Sequence, residues 1–249
     1  MKKSTSFNLL GKRILVFGLI VHFFWDAFWI ERREGSTLRA KALLIQEYSK
    51  RMLRVLGVEV DAKKFAEKNL SGLIVCNHLS YVDMLVLSSQ FPALYITSIE
   101  TQESGWVGSI CNLAGCLFVE RRSRDNRARE MQQIEAVLAT GIPVVLFPEA
   151  TSSDGSKVLP FRPALYECAI NANVPVHNFS LVYDNGLVPY YGDMEILPHL
   201  KGLTAHSGPI QATLSFLGTI LPGPGDCKKS LAESSFQLIR ESHATAGTG

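Results

Sequence analysis

Neither sign of charge dominates this chain. Its 249 residues carry 25 Lys and Arg against 23 Asp and Glu, a formal +2, so no basic footprint for nucleic acid is present. Paired cysteine motifs are missing too. Cys76, Cys111, Cys116, Cys168 and Cys227 are odd in number and include no Cys-x-x-Cys pair. They read as reduced, mostly packed thiols of a cytosolic compartment, with no metal site. No Gly-x-Ser-x-Gly elbow occurs, which leaves a serine hydrolase without support. There is no internal repeat, and no Lys, Arg or His between Phe91 and Glu120. Apolar residues, by contrast, are plentiful. A hydrophobic share of 47% and a mean hydropathy of +0.12 are high for a freely soluble domain and point to membrane contact. The length suits one domain with a sizeable core plus a terminal appendage.

The informative stretch runs from Gly72 to Ser89. Leu73 to Cys76 is short, apolar and β-branched enough for a buried strand. Asn77-His78 follows, and Ser80-Tyr-Val-Asp83 reads as a capping box, with Ser80 at the N-cap and Asp83 at the third helical position. On one ideal helix His78 and Asp83 would lie about 140° apart and could not meet. With His78 on the loop before Ser80, the imidazole can turn back over the first helical turn. Asp83 would then accept from one ring nitrogen and leave the other free as a base. That is the base and orienter of a triad without a protein nucleophile, so the proton taken would belong to a substrate hydroxyl. The plainer reading is a loop histidine beside an ordinary helix cap.

Upstream, Met1 to Arg13 is basic through Lys2, Lys3, Lys12 and Arg13. Ile14 to Ile30 is apolar and aromatic, broken by His22 and Asp26. At 17 residues it sits at the lower limit for a span. Glu31-Arg-Arg-Glu34 follows it, so no small-residue cleavage site marks a secretory signal. The aromatic density suits a lipid–water interface, either as a monotopic anchor or as a single span. Thr37 to Leu56 is an amphipathic helix with Leu38, Leu44, Ile45, Tyr48, Met52 and Val55 on one face. It faces either the core or anionic lipid. Gly57 stops it.

Downstream, Val58 to Val60 and Ala93 to Thr97 are strand candidates. Gly115-Cys-Leu-Phe-Val-Glu-Arg121 is a strand leading into charge, with Arg122 and Arg124 beside it. Asp125 to Thr140 reads as a helix closed by Gly141. Val144 to Phe147 is a buried strand delivering Glu149 to the loop Ala-Thr-Ser-Ser-Asp-Gly155. Pro163 to Asn173 reads as a helix opened by proline. Val174 to His177, Leu181 to Tyr183, Met194 to Leu197 and Ile210 to Leu217 read as strands, and Lys228 to Ser242 as a closing helix. Strands alternating with helices imply an α/β fold around a mainly parallel sheet, residues 57–249, preceded by a membrane-associated helical segment, residues 1–56.

Four of these stretches, in order, resemble motifs of the glycerolipid acyltransferases that acylate lysophosphatidate. They are Asn77-His78-x4-Asp83, Gly115-x-x-Phe-x-x-Arg121, Phe147-Pro-Glu149-Ala-Thr151-Ser-Ser and Val174-Pro-Val176-His177. The resemblance spans about Gly57 to Tyr183. It implies that His78 is the general base and Asp83 its partner. It also implies that Asn77, Gly115, Arg121, Glu149 and Thr151 bind substrate, with Arg121 on the acceptor's phosphate and Glu149 on the acceptor or holding Arg121. The implied partners are an acyl-CoA or acyl carrier protein donor, a lysolipid acceptor and the bilayer, at the cytoplasmic face of the cell membrane. No cofactor or metal is implied. Carbonyl-oxygen donors are expected among the first free amides of the helix after Ser80.

Three positions depart from the pattern. The lysine that usually follows the strand near Thr97 is absent. Ala150 stands for glycine, where a positive φ would be strained. Ser152 stands for arginine, removing a cation suited to phosphate. The Thr151-Ser-Ser-Asp154 run looks closer to the bacterial branch that acylates lyso-ornithine lipid, an acceptor without phosphate.

Overall fold

The computed structural model describes residues 9–33, 37–63, 70–120 and 126–246. Lys2, Lys3, Glu34, Arg121, Arg122, Arg124 and Asp125 lie outside them. The chain begins with two helices, α1 (Leu9–Arg32) and α2 (Leu38–Leu56), and then alternates: β1 (Val58–Lys63), β2 (Leu73–Cys76), α3 (Val82–Gln90), β3 (Leu94–Ser98), α4 (Ile99–Gln102), α5 (Trp106–Leu113), β4 (Leu117–Val119), α6 (Arg127–Ala139), β5 (Val144–Leu146), α7 (Tyr166–Asn171), β6 (Val176–Tyr183), α8 (Ile196–Ala205), β7 (Ile210–Ile220) and α9 (Lys228–Ala246). Among the described residues seven strands form one sheet in the order β1-β7-β6-β2-β5-β3-β4. Every neighbouring pair is parallel except β6 with β7. The expected mainly parallel α/β sheet is thus present, with one antiparallel seam.

The alternation within β2 shows why both faces are covered. Leu73 and Val75 enter a core with α6, α7 and α9 residues such as Ile134, Tyr166 and Leu231. Ile74 and Cys76 enter the opposite core with α2 and α3 residues such as Leu53 and Val86. All four are fully buried, as a continuous apolar run in a parallel sheet requires.

The two helices at the start pack on this second face. The Thr37 hydroxyl accepts the Ala40 N–H at 3.2 Å to cap α2, and Gly57 ends it at φ +79°, where a left-handed residue favours glycine. α2 packs against α3, and α1 against α2, α5 and α8. α1 buries Lys12, Val16, Phe23 and Ala27 against the domain, and the Lys12 ammonium donates to the His206 carbonyl at 2.7 Å. Its outer face exposes Leu10, Ile14, Phe17, Val21, Trp25 and Trp29. At 24 residues α1 is long enough and apolar enough to cross a membrane.

Two expectations are corrected. Met194 to Leu197 is not a strand: Ile196 and Leu197 open α8. Pro198 is tolerated there because the first helical turn has no intrahelical acceptor for its missing N–H. The helix expected from Pro163 starts at Tyr166, and the Pro163 carbonyl accepts the Tyr166 N–H in the turn before it.

Candidate active site

β2, β5 and β6 run in parallel, so their carboxyl ends open on one edge of the sheet. The chain leaves β2 for α3 on one face and leaves β5 for α7 on the other. Such a divergence opens a crevice, the usual site position in open α/β sheets. His78 follows β2 into it and Glu149 follows β5.

Asn77 fixes the loop. Its amide nitrogen donates to the Leu181 carbonyl at 2.9 Å, and its oxygen accepts the Leu181 N–H at 2.8 Å. A side chain here continues the β2–β6 pairing where the main chain turns away. Both ends of the amide are therefore committed to β6.

His78 comes next. Its N–H donates to Glu149 Oε1 at 2.7 Å, and its carbonyl accepts the Ser153 N–H at 3.0 Å. The ring stacks on Phe147, with centroids 4.2 Å apart and planes 15° apart. Nδ1 lies 2.8 Å from Asp83 Oδ2, with the His78 side chain 21% exposed and Asp83 fully buried. An ionised carboxylate only accepts, so Nδ1 carries a hydrogen, and in the neutral ring the lone pair is on Nε2. Nε2 has no partner among the described residues.

Asp83 is held from every side. Oδ2 also accepts the Leu79 N–H at 2.6 Å and the Ser80 N–H at 2.9 Å. Oδ1 accepts the Tyr183 hydroxyl at 2.9 Å. Four donors thus converge on this buried carboxylate at the start of α3. The expected capping box is only half formed: Asp83 accepts the Ser80 N–H, but α3 begins at Val82 with Tyr81 at its N-cap, and the Ser80 hydroxyl accepts the Val82 N–H at 3.3 Å in place of that of Asp83. The Asp83 N–H goes to the Ser80 carbonyl. The amides of Leu79, Ser80, Val82 and Asp83 are thus spent inside the turn, while the Tyr81 N–H, the first after Ser80, has no acceptor among the described residues.

Glu149 is 4% exposed. Its second oxygen accepts the Leu159 N–H at 2.8 Å. Burial pushes its carboxyl up to about 7, against the pull of the two amides. The carboxylate is thus a brace between the His78 loop and the chain before α7. Ala150 sits at φ +59°, the strained conformation expected where glycine is replaced. The Ser152 hydroxyl donates to the Tyr190 carbonyl, and the Tyr190 N–H donates to the Leu79 carbonyl at 2.8 Å. Ser152 therefore ties three loops together where the motif would place arginine. Thr151 is exposed, its hydroxyl 3.4 Å from the Ser152 carbonyl.

Gly115 lies elsewhere. It turns at φ +75° before β4, and a Cβ there would stand 3.1 Å from Lys41 Cδ and 3.8 Å from Leu38 Cδ2, both on α2. Arg121 lies outside the described residues. His177 is packed, bonded to Thr219 at 2.9 Å and to the Ser71 carbonyl at 2.8 Å. Among the described residues no cluster of metal-ligating side chains occurs, and four of the five cysteines are buried free thiols. Sequence reasoning missed Tyr183 and Tyr190, whose contacts depend on loops and strands distant in the chain.

Two cavities flank this crevice. The larger, about 220 Å³, is almost wholly apolar. Tyr81, just before α3, and Met84 within it form one wall, and Ile20, Met52 and Val107 of α1, α2 and α5 contribute to the rest. The smaller, about 100 Å³, lies under Phe147 and Ala150 and brings Arg127 and Arg162 together with Glu120 and Glu130.

The likenesses follow the same architecture. Lyso-ornithine lipid O-acyltransferase of Brucella abortus is 31% identical over 186 residues, 68% of this chain and 69% of that protein. Its namesake of Pseudomonas aeruginosa is 26% identical over 94% of this chain and 90% of its own length. The 1-acyl-sn-glycerol-3-phosphate acyltransferase of Neisseria meningitidis is 28% identical over 60% of this chain and 59% of its own. In three dimensions the chain resembles the crystal structure of the 1-acyl-sn-glycerophosphate acyltransferase PlsC from Thermotoga maritima. The TM-score is 0.66 at 18% identity, covering 96% and 98% of the two chains. The family model described as Acyltransferase matches residues 57–182, a span that holds the His78 loop, Glu149 and most of β6, and the chain belongs to that family.

Proposed function

We propose that the protein moves a fatty acyl chain from an acyl thioester to the free hydroxyl of a lysolipid. One observation carries this reading: His78 Nδ1 is bound by the buried Asp83 carboxylate at 2.8 Å while Nε2 has no partner among the described residues. Nε2 removes the hydroxyl proton as that oxygen attacks the thioester carbonyl. Asp83 holds the tautomer and stabilises the imidazolium. Collapse of the tetrahedral intermediate expels the thiolate, which takes the proton back from Nε2. The large apolar cavity beside Tyr81 suits an acyl chain. The donor is acyl-CoA or acyl-acyl carrier protein.

The acceptor assigned first is 1-acyl-glycerol-3-phosphate, as in phospholipid biosynthesis. A second acceptor, lyso-ornithine lipid, is favoured by two observations. Ser152 spends its hydroxyl on Tyr190 where the motif has a phosphate-binding arginine. Among the described residues the small cavity balances two guanidinium groups with two carboxylates, which suits a zwitterionic head group. The outer face of α1 rests on the membrane, on its cytoplasmic side, and brings the crevice to its lipid substrates.

The test is a pair of assays on purified protein in vesicles, using one labelled acyl thioester and either acceptor. Turnover of the phosphate-bearing lipid establishes the first reading. Turnover of the phosphate-free lipid alone establishes the second. Thioester stability with both acceptors refutes the acyltransferase reading.

A further inference from the structure

We infer that Tyr183 is a positioning residue for the His78–Asp83 pair, holding the outer carboxylate oxygen so that the inner one stays aimed at the imidazole. The kinetic consequence rests on the acyltransferase reading, and the geometry stands without it.

Asp83 is fully buried, and a buried carboxylate is stable only where its oxygens are hydrogen-bonded. Oδ2 has three donors, the His78 ring and the Leu79 and Ser80 amides. Oδ1 has the Tyr183 hydroxyl at 2.9 Å. Without that hydroxyl the two oxygens become unequal: one over-served, the other desolvated with no donor in place. The carboxylate relieves this by rotating, and rotation moves Oδ2 off Nδ1.

The placement of Tyr183 is built into the fold. It is the last residue of β6 and pairs with Ala212 of β7 across the antiparallel seam. Two residues earlier, Leu181 is gripped through both main-chain groups by Asn77. Strand residues two apart share a face, and Leu181 and Tyr183 both pack into the core that α3 covers. Asn77, directly before His78, thus sets the register that delivers the Tyr183 hydroxyl to Asp83. Burial together with the adjacent Asp83 charge raises the Tyr183 hydroxyl well above the usual tyrosine range, so it remains a donor at any working pH.

Removing the donor by Tyr183→Phe keeps the ring and its packing. The expected result is a fall in kcat of about 10-fold, the scale of one hydrogen bond to a charged group, with KM little changed. In an Asp83→Asn background the same change costs nothing further, because the group it acts through has gone. A readout independent of substrate is the proton NMR signal of the hydrogen-bonded His78 Nδ1–H, which moves or broadens in Tyr183→Phe. An unchanged kcat and Nδ1–H signal overturns the inference, and so does an equal loss in both backgrounds. If the wild-type protein acylates no lysolipid while the Nδ1–H signal still responds, the functional reading fails and the positioning role stands.

Discussion

Glu149 Oε1 accepts the main-chain N–H of His78 at 2.7 Å, while its other oxygen accepts Leu159 N–H at 2.8 Å. The two residues are 71 positions apart, and this one carboxylate joins the loops that follow β2 and β5. Two amides need two acceptors. A glutamine supplies one oxygen and opposes the other N–H with its own NH2. Glu149→Gln is therefore expected to lower stability by about 1–3 kcal/mol near pH 5 and to lower kcat by loosening the His78 loop. The pH dependence has a definite sign. Burial raises the Glu149 carboxyl from 4.5 to about 7, so the folded state holds its proton more tightly than the unfolded one. Its contribution to stability is full below pH 4.5 and is lost as pH rises towards about 7. Thermal melts from pH 4 to 8 should show wild-type stability falling across that window relative to Glu149→Gln. Parallel curves would contradict the assignment.

Ala150 holds φ +59° in the same loop. An alanine in this conformation costs about 1 kcal/mol or more, whereas glycine adopts it freely but loses more entropy on folding, about 0.4–1 kcal/mol. Ala150→Gly should therefore leave stability unchanged or raise it by up to about 1 kcal/mol, a rise of about 2–4 °C in Tm. A clear drop in Tm would show that the Ala150 methyl group makes a packing contribution larger than the strain.

Much of this site was legible in the sequence, and the reason is locality. β2 runs over Leu73–Cys76 as its apolar run suggests, and the spacing of His78 and Asp83 across a helix start fixes their contact within six residues. The strained position at Ala150 followed from one missing glycine. What the sequence concealed depends on distant chain. Tyr183 meets Asp83 across 100 positions only because Asn77 sets the β6 register. Glu149 could be named but not given its partners, since one amide it serves lies 71 positions away on another loop and the other ten positions on in its own. α8 was hidden by Ile196-Leu-Pro198, where two apolar residues and a proline imitate a short strand ended by a breaker.

The outer face of α1 carries Phe17 at 68% and Trp25 at 60% exposure while Lys12 and Ala27 face the domain. Large apolar side chains turned outward on a helix that is otherwise docked point to a lipid surface. Phe17→Ser combined with Trp25→Ser should weaken sedimentation with phospholipid vesicles by at least about 10-fold, since each ring contributes about 1.5–3 kcal/mol when removed from water. The melting temperature should hardly change, because neither ring is part of the core. Unaltered vesicle binding would place the membrane contact elsewhere.

The imidazole of His78 is the proposed general base, and it can be removed without touching the brace, because Glu149 and Ser153 bind the main chain of that residue. Initial rates of acyl transfer to each lysolipid, measured on purified wild-type protein and His78→Ala with matching thermal melts, give the most direct test. A fall of about 10²- to 10⁴-fold in kcat with the fold intact is expected for loss of a general base. A His78→Ala protein that turns over near the wild-type rate would contradict general-base catalysis at this position.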